Sequence, residues 1–169
     1  QIKNVLGITG NSNEEILNNF AKSIVDEYNE TYKSIKTYKG FYIGRYEIGG
    51  TVNTSTVSKG AVFTANWYQL KKACTNVVST TYAQTTMVYG NQWDEIMSWL
   101  KTTVFKDDTG KVDTDSSSWG NFSNSQGNAA VDGYGTKQIT GYSEFWKANN
   151  IYDLAGNFWE WAQEASRYL

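Results

Sequence analysis

Two carboxylates flank a glycine turn near the carboxyl end of the chain. In the stretch NIYDLAGNFWEW at residues 150–161, Asp153 and Glu160 stand on either side of a turn centred on Gly156. Two carboxylates and the carbonyl oxygens exposed at such a turn form a hard oxygen cage, which suits calcium better than softer metals. The alternative is that Glu160 bonds the amide groups of the turn and that no ion is bound. The sequence therefore predicts a calcium site and leaves the ion-free turn open.

The chain contains no histidine and a single cysteine among its 169 residues. The absence of histidine excludes Ser-His-Asp and Cys-His catalysis, histidine-ligated zinc and histidine-ligated iron. The lone Cys74 cannot form an internal disulfide or a paired-thiolate metal site. No copper or iron is therefore expected on this chain, and calcium is the predicted cofactor.

The stretch at 150–161 resembles the hallmark segment of the formylglycine-generating enzyme, or sulfatase-modifying factor, family. Three further stretches resemble blocks of that family in the same order, namely GFYIGRYEIG at 40–49, NWYQLKKAC at 66–74 and YGNQWDEIMSWL at 89–100. The resemblance implies an α+β fold that is a variant of the C-type lectin domain, with short antiparallel strands, two to three helices and long irregular loops.

The resemblance also implies which groups would bind calcium. In family members with calcium at this turn, the ligands are a side chain at the Asp153 position, carbonyl groups at the Gly156 and Phe158 positions, and a carboxylate at the Glu160 position. All four positions carry suitable residues in this chain. The predicted metal site therefore consists of these four residues.

Two departures separate this chain from the catalytic branch of the family. The oxidase members bind copper(I) through two cysteines that follow the Trp-Glu-Trp segment, and here only Cys74 is present, on another element. The closing strands, which an Arg-Gly-Gly segment introduces in the family, have no counterpart before Leu169. We therefore expect a domain that is incomplete at its carboxyl end, as a fragment or as a sheet that another chain completes.

The elements predicted to position these residues are mainly helices. Alternating side chains predict a strand over 40–48 and another directly after the Gly156 turn.

We divide the chain into a helical lead-in over 1–39 and the lectin-like domain over 40–169. Apolar residues at three- and four-residue steps predict three helices, over 13–38, 67–78 and 92–102.

The composition favours a binding surface. Aromatic residues make up 15% of the chain and charged residues only 19%, and the remainder is rich in Asn, Thr, Ser and Gly. Aromatic anchors among small polar residues are typical of adaptable binding surfaces. Residues 106–143 lack a sustained period and are predicted to be irregular. The candidate ligand contacts lie around 119–146 and are expected to be exposed; they are Trp119, Asn121, Phe122, Tyr134, Tyr142 and Trp146.

The leading prediction is a non-enzymatic, adhesin-like module for ligand binding or surface display. The resemblance supports it, since one branch of the family includes variable receptor-binding proteins of phages and bacterial surfaces. The expected partner is a surface protein or a glycan, and the expected location is extracellular, on a bacterial cell surface or a virion. A net charge of −2 disfavours nucleic acid as a partner. No apolar run approaches the roughly 20 residues that span a bilayer.

Two alternatives stay open beside the leading prediction. The first is a fragment of a formylglycine-generating oxidase whose copper-binding cysteines lie downstream. The second is a structural component of a virion or filament, in which another chain completes the sheet.

Overall fold

A computed structural model describes residues 1–58, 60–122 and 135–163, and helices provide most of its regular structure. Two short strands pair antiparallel, with Lys147 opposite Tyr152. This mixture confirms the α+β class. In chain order the elements are α1 (Ile2–Leu6), α2 (Asn13–Tyr38), α3 (Trp67–Val77), α4 (Gly90–Thr102), α5 (Gly110–Asp113), a 3-10 turn (Glu144–Trp146), β1 (Lys147–Ala148) and β2 (Ile151–Tyr152).

The longest element, α2, has 26 residues and matches the predicted range 13–38. The hydroxyl of Ser12 accepts a hydrogen bond from the Glu15 N–H at 3.1 Å, which satisfies one of the free donors at the start of the helix. The helix is capped at its other end by Lys39, which adopts a left-handed conformation (φ 61°). Among the described residues, no helix combines the length and apolar character that crossing a membrane requires.

Side-chain caps set the starts of the two inner helices. At α3, the Gln69 N–H donates to Asn66 Oδ1 and the Asn66 N–H donates to Gln69 Oε1, which is a reciprocal cap. At α4, the Tyr89 N–H donates to Gln92 Oε1 at 3.0 Å. This cap places the start of α4 at Gly90, two residues before the predicted start.

The strand predicted over 40–48 does not form. The segment is irregular, and the side chain of Tyr42 is fully exposed to solvent. A strand needs a neighbour along its length, whereas this segment makes single contacts such as the hydrogen bond from the Tyr152 N–H to the Arg45 carbonyl (2.9 Å). The strand predicted after the glycine turn is also absent, since residues 158–163 are irregular.

The hydrophobic core lies between α4, the Phe105–Trp119 region and the glycine turn. The rings of Phe105 and Trp119 pack with their centres 4.9 Å apart, and the Trp119 indole N–H donates to the Lys111 carbonyl at 2.8 Å. Ala155 belongs to the same cluster, so the core fixes the residue directly before Gly156. The buried members of the cluster are Ile96, Leu100, Phe105, Trp119, Ala148 and Ala155.

A polar cluster around Glu27 attaches α2 to the rest of the molecule. The Glu27 carboxylate pairs with the Lys71 ammonium at 2.6 Å, and it also accepts hydrogen bonds from the Gln163 amide (2.9 Å) and the Thr86 hydroxyl. Burial alone would raise the pKa of Glu27, but the hydrogen bonds from these three side chains outweigh it and hold the pKa below 4.5. The 1–39 lead-in therefore packs directly against the predicted domain.

Replacing Glu27 with glutamine is expected to lower the free energy of unfolding by about 3 kcal/mol, because the Lys71 ammonium, with 7% of its side chain exposed, would lose its counter-charge. The pKa of Glu27 is lowered in the folded state. Its stabilising contribution is therefore fully present above the ordinary pKa of 4.5 and is lost as the pH falls through the lowered value. Urea unfolding at pH 7 and at pH 3 measures both effects.

The matched control is Asp26→Asn, which removes an exposed pair with Lys22 on the same helix. We expect this change to cost less than about 0.5 kcal/mol, since solvent screens exposed pairs. Equal stability of the E27Q and D26N variants at pH 7 would contradict the role assigned to Glu27.

Candidate functional site

The turn segment 149–157, with the sequence NNIYDLAGN, is built from residues that tolerate left-handed backbone. Glycine, asparagine and aspartate are the residues for which this conformation costs least. The local sequence thus allows the chain to reverse direction several times within nine residues. Positive φ values occur at Asn149 (48°), Asn150 (65°), Asp153 (60°), Gly156 (77°) and Asn157 (66°).

The backbone of Gly156 lies against that of Asn121. The Asn121 N–H donates to the Ala155 carbonyl and the Asn157 N–H donates to the Asn121 carbonyl, both at 2.9 Å. A β-carbon on Gly156 would lie 2.3 Å from the Asn121 carbonyl oxygen, which is too close for any side chain. Only glycine therefore fits at position 156.

The amide side chains of Asn121 and Asn157 join separate segments around this contact. Asn121 Oδ1 accepts a hydrogen bond from the Gly135 N–H at 2.6 Å. Asn157 Oδ1 accepts one from the Gln138 N–H at 2.9 Å, and its Nδ2 donates to Glu47 Oε2 at 3.0 Å. The turn is thereby connected to the segment that begins at Gly135 and to the distant Glu47.

Asp153 is almost completely buried, with 1% of its surface exposed. Its Oδ2 accepts hydrogen bonds from the Thr140 hydroxyl (3.0 Å) and the Gly141 N–H (2.8 Å). Its Oδ1 has no hydrogen-bond partner within the described residues. Burial raises the pKa of Asp153, and the two hydrogen bonds oppose this only in part. The site therefore contains a buried carboxylate oxygen that has lost its contact with water and has no hydrogen bond in its place.

Two more carboxyl groups lie within electrostatic range of Asp153. Burial raises the pKa of Glu47 to about 8; the hydrogen bond from Asn157 opposes this rise, and repulsion from Asp153 adds to it. Burial also raises the pKa of Glu160, with repulsion from Glu47 and Asp153 as further causes. Glu160 as a whole keeps an exposed surface, so water screens part of this repulsion. We call Glu47, Asp153 and Glu160 the acidic cluster.

Among the predicted calcium ligands, Asp153 Oδ1 is a buried oxygen without a hydrogen-bonding partner in the described part of the chain. The other predicted donors are the carbonyl oxygens of Gly156 and Phe158, which are partly buried, and the carboxylate of Glu160, which is exposed. Two carboxylates and two carbonyls are a hard donor set that fits calcium. Within the described ranges, no group of three or more Asp, Glu, His or Cys side chains is placed to hold a metal ion, so carbonyl groups would supply half of the ligands. The Lys137 ammonium lies 5.3 Å from the Phe158 ring centre and opposes a cation there.

Glu47 is not among the residues that the sequence predicts for this site. Its contact with Asn157 joins residues that are 110 positions apart, and no local pattern reports such a contact. The presence of a carboxylate within the block 40–49 was the available signal.

Three of the predicted ligand contacts lie in the interior. Trp119, Asn121 and Trp146 are at most 7% exposed, so the expectation of an exposed position is wrong for them, while a role in ligand binding stays a prediction. The indole rings of Trp119 and Trp146 fill the interior, and the side-chain amide of Asn121 forms hydrogen bonds with backbone groups. Of the other candidates, Phe122 is half-buried, Tyr142 is exposed, and Tyr134 lies outside the described residues.

Residues 142–146 form a firmly anchored turn that we call the aromatic turn. Its Trp146 is completely buried, and the Trp146 carbonyl accepts a hydrogen bond from the Asp153 N–H at 2.8 Å. The ring of Tyr142 stacks on Trp146 with a centre distance of 5.8 Å and an angle of 22°. Tyr142 is 40% exposed and Phe145 is 61% exposed. The aromatic turn thus presents two rings to solvent from a fixed backbone.

Comparisons with family models, with curated proteins and with solved structures found no match for this chain. The α+β class rests on the structure itself. The C-type-lectin-like fold and the family resemblance stay predictions from the sequence.

Replacing Gly156 with alanine is expected to lower the free energy of unfolding by at least about 2 kcal/mol. Alanine would add strain at φ 77° and a contact of 2.3 Å with the Asn121 carbonyl oxygen. Urea denaturation at neutral pH measures the change.

Two other alanine variants separate these causes. Gly7→Ala adds the strain alone, because Gly7 has φ 73° but no atom within 4 Å of an added β-carbon. Gly40→Ala adds neither, since its surroundings are open and its φ is not positive. If G156A is no less stable than G7A, the close approach to Asn121 is not a constraint on the fold.

Proposed function

We propose that this chain is a non-enzymatic ligand-binding module of the surface-display type, on a C-type-lectin-like scaffold that calcium stabilises at the Gly156 turn. Its ligand is a surface protein or a glycan, and its place is extracellular, on a bacterial cell surface or a virion. The observation that carries the proposal is the exposure of Tyr142 and Phe145 on a turn whose Trp146 is completely buried.

An exposed aromatic ring on a fixed backbone is an effective recognition element. It buries a large apolar area on binding and loses little conformational freedom. The aromatic turn meets both conditions, because Trp146 anchors the backbone and supports the ring of Tyr142 from below. Phe145, with 61% of its surface exposed, contributes apolar area that a partner would cover.

The acidic cluster supports a structural role for calcium in this module. A bound calcium ion supplies positive charge that offsets the repulsion among Glu47, Asp153 and Glu160. Asp153 accepts a hydrogen bond from the Gly141 N–H and donates its own N–H to the Trp146 carbonyl. Because these contacts lie at the two ends of the aromatic turn, fixing Asp153 also fixes the proposed ligand surface.

Thermal and urea unfolding in 10 mM calcium chloride, compared with unfolding in EDTA, test the calcium site. We expect calcium to stabilise the fold by about 2.7 kcal/mol, the value for an ion at a hundredfold excess over its dissociation constant. Such an excess corresponds to a dissociation constant of about 10⁻⁴ M, which is typical of extracellular calcium modules. Magnesium should give much less, because it sheds its water reluctantly.

Carboxylate variants locate the effect. Asp153→Asn and Glu160→Gln are expected to abolish the stabilisation by calcium, whereas Glu95→Gln, at an exposed position of α4, should keep it. Identical unfolding of the unmodified chain in calcium and in EDTA would show that the turn folds without an ion.

A binding screen against immobilised glycans and surface proteins tests the ligand surface. We expect at least one ligand whose affinity falls tenfold or more in the Phe145→Ala variant, since truncating an aromatic anchor commonly costs more than about 1.4 kcal/mol. Tyr82→Ala is the matched control, because Tyr82 is 99% exposed and lies outside the aromatic turn. A blank screen with the folded module, or equal losses in the two variants, would count against the proposal.

A further inference from the structure

A second surface cluster combines an arginine with a pair of tyrosine rings. The rings of Tyr46 and Tyr152 are stacked, with centres 5.1 Å apart and an angle of 15° between their planes. The guanidinium carbon of Arg45 lies 5.6 Å from the centre of the Tyr46 ring and 5.5 Å from that of Tyr152. The guanidinium is therefore held against both rings. We call these three residues the arginine platform.

The arginine platform has a firm base. Tyr152 is 5% exposed, belongs to β2 and pairs with Lys147 of β1. Its N–H also donates to the Arg45 carbonyl at 2.9 Å, so the backbone of Arg45 is tied to the same strand. A cation placed in advance in this way loses less freedom when it binds a ligand than a mobile surface side chain does.

Two cations, Arg45 and Lys147, and one carboxylate, Glu144, surround the platform and leave it with a net positive charge. One carboxylate oxygen of Glu144 accepts a hydrogen bond from the Lys147 ammonium, and the other accepts one from the Tyr152 hydroxyl. Glu144 therefore forms an ion pair with Lys147, and its charge also acts on Arg45. Arg45 is exposed and forms no ion pair within the described part of the chain.

We propose that Arg45 binds the carboxylate group of an acidic saccharide, with a sugar ring of that ligand lying against Phe145 of the aromatic turn. The inference rests on the proposed function, because it names the class of ligand that the module would bind. A guanidinium offers its donors in a planar fork that matches a carboxylate with two parallel hydrogen bonds. Contact with Tyr46 and Tyr152 holds the fork in place. Phe145 directly follows Glu144 in the 3-10 turn, and the Glu144 carboxylate accepts a hydrogen bond from the Tyr152 hydroxyl, so the backbone that carries the exposed ring is next to the residue that contacts the platform.

A single unpaired cation fits a ligand of low charge density. An acidic peptide brings carboxylates on successive residues, about 3.3 to 3.6 Å apart along an extended chain. Duplex DNA brings one negative charge per roughly 1.7 Å of its axis. Ligands whose charges are so closely spaced are matched best by several unpaired cations, whereas here Lys147 is already paired with Glu144. An acidic saccharide carries at most about one carboxylate per ring, and its ring faces suit the exposed Phe145 and Tyr142.

The test is isothermal titration calorimetry with oligosaccharides that carry uronic or sialic acids, each compared with its carboxyl-reduced form. We expect at least one carboxylated member to bind tenfold or more tightly than its reduced form. Arg45→Gln should remove that difference, and Arg45→Lys should restore only part of it, because an ammonium cannot form the two parallel hydrogen bonds. Lys106→Gln, which removes an exposed cation elsewhere, should leave the affinity unchanged.

Equal affinity for the two forms, an unchanged affinity in the R45Q variant, or no binding to any member of the panel would overturn the inference. Tighter, Arg45-dependent binding of an oligoglutamate peptide would overturn the assignment to a saccharide. Binding of a neutral glycan or a protein that depends on Phe145 and not on Arg45 would leave the proposed function standing while removing this inference. The unfolding temperature of R45Q, expected to stay near that of the unmodified chain, shows whether the variant is folded.

Discussion

The contact between the backbones of Gly156 and Asn121 constrains the rest of this region. The two chains run so close together that no side chain fits at residue 156, and a hydrogen bond on each side of the glycine holds them there. The residue before the glycine, Ala155, belongs to the core, and the residue after it, Asn157, reaches Glu47. A single glycine therefore links the packing of the interior to the position of the acidic cluster.

Glu27 and Asp153 show how strongly the pKa of a buried carboxyl group depends on a nearby counter-charge. Burial raises the pKa of both groups. At Glu27, the hydrogen bonds and charge of Lys71, together with neighbouring donors, reverse this effect and keep the group ionised. At Asp153, hydrogen bonds from Thr140 and Gly141 do not reverse it. The polar contact beneath α2 is thus complete without an ion, whereas burial around Asp153 disfavours the charged form of its carboxyl group and the protein partners do not offset this.

The parts of the fold that local sequence determines were predictable. The apolar period and the capping residue Ser12 define α2, and the spacing of Asp, Gly and Asn defines the turn. The strand expected over 40–48 fails because pairing depends on a partner distant in sequence. Glu47 escapes prediction for the same reason, since its contact with Asn157 exists only in the folded chain. Trp146 was expected at the surface because composition does not distinguish an aromatic ring that fills the interior from one that meets a ligand.

The attachment of α2 has a mechanical consequence. The helix is about 39 Å long at 1.5 Å per residue, and Glu27 lies near its middle. The contacts of Phe20 with Trp67 and of Tyr28 with Tyr89 lie on either side of that point. A force along the helix axis would act on all three contacts at the same time and parallel to the contact surface. The contacts would therefore not break one after another. α2 would then act as a stiff handle that transmits force into the body of the molecule.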